Sequence, residues 1–195
     1  SIISYFFTVE VFKYEPTFDI PVVSGNSPIN IFVIIVAGIL SGLLASLYSY
    51  LLTNKNLNFL NNFGSKDYLT PAYAGMICGI VAIKFPEVTG IGAESINDLL
   101  NNRVSLSLAI IFLVLKLILT TICIRMGLVG GIFAPALFLG ASLGVVTAGF
   151  SGLILDQINP SLIVLSSMSA LGSCIIGGPI ANVLFVRSRG HPRSA

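Results

Sequence analysis

Long apolar runs constrain the fold of this 195-residue chain more than any other feature. A helix needs about 20 residues to cross the ~30 Å hydrocarbon layer of a bilayer. Runs of about that length occur at Ile29 to Leu52, Leu69 to Phe85, Val104 to Ile124, Leu128 to Leu155 and Pro160 to Val186. Only 9% of the residues are charged, whereas soluble domains carry about a quarter. The sequence therefore predicts an all-α, polytopic integral membrane protein.

The two ends of the sequence differ from its apolar centre. Residues 1–28 combine a short amphipathic stretch with a polar connection that contains prolines. We predict an interfacial helix and linker there, ahead of a transmembrane domain at residues 29–186. Residues 187–195 carry three arginines and the only histidine, and our hypothesis is that this basic tail is non-native. The chain begins with Ser1 rather than Met, which suggests a fragment of a longer protein.

Composition argues against several functional classes. Cys78, Cys123 and Cys174 are far apart in the sequence, without a Cys-x-x-Cys pair or a nearby histidine, so we predict buried structural thiols and no metal site. The net charge of +2 comes from the basic tail and implies no nucleic-acid partner. We expect no cofactor and no enzymatic activity.

Small and charged residues within the apolar runs give further expectations. In the first run a stripe of small residues predicts a helix-packing face, at Gly38, Gly42, Ala45 and Ser46. Gly90 and Gly92 predict a turn, followed by a short acidic helix. Lys116 lies inside an apolar run, where a cation is by default functional or paired. It could instead snorkel or neutralise a helix end.

The hexapeptide Gly130-Gly131-Ile132-Phe133-Ala134-Pro135 interrupts the fourth run. Glycine allows a positive φ and a close approach of ligands to backbone amides, and proline suits a first helical turn. The amides of Ile132 and Phe133 would therefore point outward at the positive end of the next helix, where an anion binds favourably. Two amides cannot replace an anion's hydration shell, and the sequence shows no obvious second set of donors.

Two other interpretations of these residues come from the sequence. A Gly-Gly-x-x-x-Pro break is equally expected for a simple hinge between helices. The string Gly140-Ala141-Ser142-Leu143-Gly144 matches the Gly-x-Ser-x-Gly pattern of serine hydrolases, but it lies in an apolar helix without a histidine base. Helix packing is the better interpretation of Ser142.

The hexapeptide, with Gly131-x-Phe133-x-Pro135, resembles the anion-filter signature of the CLC family of chloride channels and chloride/proton antiporters. Lys116-x-x-x-Thr120-Thr121 ahead of it and Gly177-Gly178-Pro179-Ile180 behind it are similar, in order and spacing, to the second half of a CLC subunit. The resemblance implies a partial CLC-type fold with broken and tilted helices, belonging to the second inverted repeat. It covers nearly all of residues 1–186.

The resemblance also implies a function and partners. Chloride or a related anion would be bound by the segment Gly130 to Pro135, and protons would be a second ligand in an antiporter, with Glu15 near a family position for a proton-path carboxylate. A homodimer in the plasma (inner) membrane of a prokaryote is expected. An unrelated transporter of organic anions is the alternative.

Departures from the family pattern are also present. Arg125-Met126-Gly127 replaces a Ser-Gly-rich stretch, and Arg187 replaces a glutamate. The family's first-half filter serine, gating glutamate and late tyrosine are expected outside this chain.

Overall fold

The computed structural model describes residues 28–53, 69–128, 130–155 and 158–177. All regular secondary structure in these ranges is helical. The elements, in chain order, are α1 Pro28–Thr53, α2 Thr70–Lys84, a short 3-10 helix Pro86–Val88, α3 Ala93–Leu100, α4 Leu106–Arg125, α5 Phe133–Gly152 and α6 Pro160–Ile176.

Helix lengths agree with a membrane protein. The helices α1, α4 and α5 have 26, 20 and 20 residues, and each is long and apolar enough to cross a bilayer. The helices α2 and α6 are also apolar but shorter. The all-α prediction is thus confirmed, and the predicted fourth run is divided into a connection and a helix that starts only at Phe133.

Local sequence signals account for several helix ends. Proline opens α6 at Pro160 and stands in the first turn of α2 at Pro71, where its missing N–H costs nothing. The hydroxyl of Ser105 accepts a bond from the Leu108 N–H at the start of α4. Gly177 ends α6 with a φ of 70°, the left-handed conformation that glycine adopts without strain.

The helix α5 lies at the centre of the bundle. In its most apolar 18-residue window 61% of the residues are buried, compared with 28% in α1 and in α4. It packs most extensively against α6 and also contacts α4, α1 and α3. The segment that precedes α5 is therefore attached to the best-supported helix of the described chain.

Two glycines let α5 and α6 approach closely. A Cβ atom on Gly140 would lie 2.6 Å from the Cα of Met168, and one on Gly144 would overlap the backbone of Val164. Both pairs are four residues apart, so the contacts repeat once per turn of two antiparallel helices. Gly140-x-x-x-Gly144 is therefore a helix-packing motif, as the sequence predicted for this string.

The packing face of α1 differs from the predicted one. A Cβ atom on Gly38 or Gly42 would meet nothing within 4 Å in the described chain, and Ser46 is exposed. Of the predicted stripe only Ala45 is buried, in a face formed by Asn30, Val33, Ala37, Ser41, Ala45 and Tyr48. Small residues recur at i, i+4 spacing on both faces, so the pattern alone does not decide which face packs within the described chain.

Polar contacts join α1 to α6 along this face. The Asn159 N–H donates to Oδ1 of Asn30 at 3.1 Å, at the N-terminal ends of both helices. The hydroxyl of Ser41 donates to the Ser167 carbonyl at 3.4 Å, near their middles. The two helices consequently run parallel, and α1 contacts both α6 and α5.

We predict that Gly144→Ala destabilises the full-length protein by about 1–3 kcal/mol, because the new methyl group would collide with the backbone of α6. The matched control is Gly42→Ala in α1, which has open space and should be neutral or slightly stabilising. Thermal unfolding of the purified variants in detergent measures the difference. An equal loss in both variants would contradict the packing role of Gly144.

Candidate anion-binding site

The connection from α4 to α5 begins with a regular helix ending. The Leu128 N–H bonds the Cys123 carbonyl at 2.9 Å, and the Gly127 N–H bonds the Ile124 carbonyl at 3.2 Å. Gly127 has a φ of 86°, which completes a Schellman motif. The glycine that adopts a left-handed conformation in this connection is thus Gly127.

Arg125 has a structural role just before this turn. Its guanidinium donates to the Leu51 carbonyl at 2.9 Å, so it bonds an end carbonyl of α1 from the last turn of α4. Met126 beside it is buried. The stretch that departs from the family pattern therefore fixes the end of α1 against the end of α4.

The start of α5 exposes backbone of the hexapeptide. The Ala136 N–H bonds the Ile132 carbonyl at 3.2 Å and closes the first turn, in which Pro135 has no N–H to satisfy. Ile132 occupies the N-cap position without an oxygen that could cap the helix. Gly130 and Gly131 are exposed, and a Cβ atom on either would meet nothing within 4 Å in the part of the chain that the structure describes. A ligand can therefore approach this backbone without steric conflict.

A cavity of about 200 Å³ lies against this segment. A water molecule occupies about 30 Å³ in the liquid, so the cavity has room for a small hydrated ion. Its walls come from α2, the turn after the 3-10 helix, α4 and the hexapeptide. They consist of Cys78, Val88, Thr89, Gly90, Lys116, Leu119, Thr120, Cys123, Ile124, Leu128, Gly130, Gly131 and Pro135. These lining residues include one cationic side chain and no carboxylate.

The cation, Lys116, is held in place by carbonyl groups and an aromatic ring. Its Nζ donates to the carbonyls of Val88 at 2.7 Å and Gly90 at 2.8 Å. It also lies 4.9 Å from the centroid of the Phe138 ring, within cation–π range. Lys116 is 3% exposed, so it does not snorkel to the surface. Among the roles that the sequence allowed for Lys116, the structure shows pairing with backbone carbonyl groups.

The same turn packs directly on α5. A Cβ atom on Gly92 would lie 2.7 Å from the Phe138 ring, and this glycine has a φ of 70°. The predicted turn and the short helix after it are both present, with α3 beginning at Ala93. Phe138 thus joins Lys116, the turn and the first turns of α5 into one packed unit.

With this geometry established, comparison with known proteins identifies the family. Residues 1–188 match the family described as "Voltage gated chloride channel". The chain belongs to the CLC family. The predicted resemblance and the all-α, partial CLC-type membrane fold are thereby confirmed, which also argues against an unrelated organic-anion transporter.

Several curated CLC proteins are similar to the chain. Chloride channel protein CLC-f of Arabidopsis thaliana is 27% identical over 88% of this chain and 24% of its own length. The H(+)/Cl(−) exchange transporter ClcA of Vibrio vulnificus is 33% identical over 76% of this chain and 33% of its own length. Chloride channel protein CLC-e of Arabidopsis thaliana is 30% identical over 87% and 25%. The CLC chain therefore spans a quarter to a third of these relatives, which carry both channel and exchanger names.

The structure brings part of the predicted site of this CLC chain to the cavity. Gly130, Gly131 and Pro135 line it, whereas Ile132, Phe133 and Ala134 belong to the same segment without being among the lining residues. Glu15 lies outside the described residues, as does the tail at 187–195. Amide coordination by Ile132 and Phe133 therefore stays a prediction.

Two polar side chains of α4 also line the cavity. Lys116 and Thr120 both line the cavity and are one helical turn apart. The hydroxyl of the neighbouring Thr121 instead donates to the Leu117 carbonyl within the helix. The i, i+4 spacing of a lysine and a threonine in an apolar run is the sequence signal that could have indicated that both line one site.

The cysteines and Ser142 of the CLC chain also have defined places. The Sγ atoms of Cys78 and Cys123 are 3.0 Å apart and both residues are partly exposed, while Cys174 is exposed. The expectation of buried thiols was therefore wrong for the described chain. The contact between α2 and α4 brings two positions that are distant in the sequence together. Ser142 is fully buried in the middle of α5, out of reach of a hydrolase substrate.

We predict that Lys116→Met lowers the unfolding free energy of the full-length protein by about 1–3 kcal/mol, because two carbonyl groups lose their donor. The methionine side chain preserves the apolar contacts of the lysine stem. Lys84→Met is the control, since Lys84 is exposed at the end of α2. The two variants are compared by denaturant unfolding in detergent, and an unchanged stability of Lys116→Met would contradict the anchoring role.

Proposed function

We propose that this chain forms part of the anion pathway of a chloride channel or chloride/proton exchanger. The observation that carries the proposal is the cavity between α4 and the start of α5, which has one lysine and no carboxylate among its described lining residues. The family match and the names of the relatives support the same function.

The anion would lie where several weak attractions converge. The amides of Ile132 and Phe133 and the N-terminal dipole of α5 supply partial positive charge, on the order of 1–2 kcal/mol. The hydroxyl of Thr120 can donate a hydrogen bond from the cavity wall. The charge of Lys116 is partly offset by two carbonyl dipoles, which reduces the risk that the ion is trapped. A permeant ion must bind and also leave.

The whole protein would be an integral membrane protein of a prokaryotic plasma membrane, acting as a homodimer in the lipid bilayer. Its ligands would be chloride and related anions, with protons in the exchanger case, and it would need no cofactor. The apolar surfaces of α1 and α2, with exposed residues such as Phe32, Leu43 and Ile80, suit contact with lipid or a second subunit.

The first test is anion efflux from chloride-loaded liposomes that contain the full-length protein, with external pH recorded at the same time. Chloride efflux is expected, because the cavity favours an anion. Efflux coupled to proton movement would identify an exchanger, and efflux alone would identify a channel. Protein-free liposomes are the control, and efflux of organic acids without chloride would contradict the proposal.

We predict that replacing Phe133 by the α-hydroxy acid with the same side chain weakens chloride binding several-fold. This backbone ester removes one N–H and leaves the ring in place. The matched control is the same replacement at Ser107, in the first turn of α4. Phe133→Leu should be mild, and an ester at Phe133 without effect on chloride affinity or selectivity would contradict amide coordination.

We also predict that Thr120→Val reduces chloride affinity up to about tenfold, because a neutral hydrogen bond contributes about 0.5–1.5 kcal/mol. Valine has nearly the same shape as threonine without the hydroxyl. Thr121→Val is the control, since the Thr121 hydroxyl is used within α4. Calorimetric titration of the purified full-length protein with chloride compares them, and equal losses would argue against a role of Thr120 in the anion shell.

A further inference from the structure

The thiol of Cys78 on α2 faces the thiol of Cys123 on α4. Their Sγ atoms are 3.0 Å apart, and both residues line the candidate anion cavity. A disulfide bond is about 2.05 Å long, so the sulfur atoms need to approach by only about 1 Å. Both cysteines are partly exposed, which gives a small reagent in the cavity access to them.

The helix α2 can supply this movement. In the described chain its buried residues are only Thr70 and Ala74, and it packs against α4 and the 3-10 helix. A Cβ atom on Gly75 or Gly79, near Cys78 in α2, would meet nothing within 4 Å among the described residues. The surroundings of Cys78 are thus loosely packed on the α2 side, and an ångström of adjustment there displaces few neighbours.

We propose that Cys78 and Cys123 form a reversible disulfide that cross-links α2 to α4 in the wall of the cavity. The oxidant would be a small disulfide such as oxidised glutathione. One cysteine thiolate attacks its S–S bond, forming a mixed disulfide and releasing one small thiol. The second cysteine attacks the mixed disulfide, which forms the Cys78–Cys123 bond and releases the second small thiol. The protons of the two cysteines end on the two released thiols.

The cross-link would change the cavity as well as the two helices. Both sulfur atoms belong to its walls, so drawing them together moves α2 toward α4 beside Gly130 and Gly131. We expect a several-fold lower anion flux in the oxidised protein. This consequence rests on the proposed function, whereas formation of the disulfide does not.

The cross-link is tested on the full-length protein in liposomes, treated with oxidised glutathione and then alkylated. Mass spectrometry quantifies alkylation at each cysteine, and Cys174 on α6 serves as the control within the chain. Cys78 and Cys123 should lose alkylation together, appear as a linked peptide pair, and recover with dithiothreitol. Alkylation of both at the level of Cys174, or glutathione adducts on each without a linked pair, would overturn the proposal.

A variant and a flux measurement sharpen the test. In Cys78→Ser, Cys123 should instead retain a glutathione adduct, because its resolving partner is gone. The cross-linking measurement on the wild type needs no variant. It therefore tests whether the disulfide forms even if Cys78→Ser does not fold. Chloride efflux should fall several-fold on oxidation of the wild type and recover with dithiothreitol. A linked pair with unchanged efflux would refute the effect on the pathway, and absence of efflux before oxidation would refute the proposed function alone.

Discussion

The close backbone contact between α5 and α6 is the constraint on which the rest of the described structure depends. Gly140 and Gly144 have no side chains to separate the helices, and Met168 and Val164 occupy the space. Association in lipid draws on such packing, because burial away from lipid provides little hydrophobic gain. With α5 fixed against α6, and α1 fixed beside α6 through Asn30 and Ser41, the break before α5 has a rigid support.

Lys116 satisfies backbone carbonyl groups in an apolar region and also brings a positively charged residue to the cavity. The turn after Val88 leaves carbonyl groups near the apolar interior, where unpaired backbone groups are costly. The ammonium group satisfies two of them and packs over Phe138 of α5. The same charge borders the cavity without a carboxylate among its described neighbours in the wall. Stability of the turn and the proposed preference for an anion therefore involve the same side chain.

Much of this arrangement follows from sequence, but its long-range contacts do not. The apolar runs gave helix positions within a few residues, as in α1 and α2, and the Gly-Gly-x-x-x-Pro string located the break before Phe133. Gly42 and Gly144 have similar local patterns, yet among the described residues Gly144 meets the backbone of another helix and Gly42 does not, because tertiary packing determines which face is covered. Cys78 and Cys123 are 45 positions apart, and nothing local indicates that their helices meet. The cavity is likewise a product of four separate segments.

For the proposed anion site, the composition of the cavity wall favours weak rather than tight binding. A desolvated anion beside an unpaired ammonium would be held strongly, since Coulomb attraction grows in a low-dielectric interior. Here the carbonyl dipoles of Val88 and Gly90 point at the ammonium and reduce its field in the cavity. In the proposed site, the remaining attraction would come from partial charges on helix-end amides and a threonine hydroxyl. Partial charges spread over several donors replace hydration gradually, so an ion can exchange water for protein and back again without a deep energy minimum.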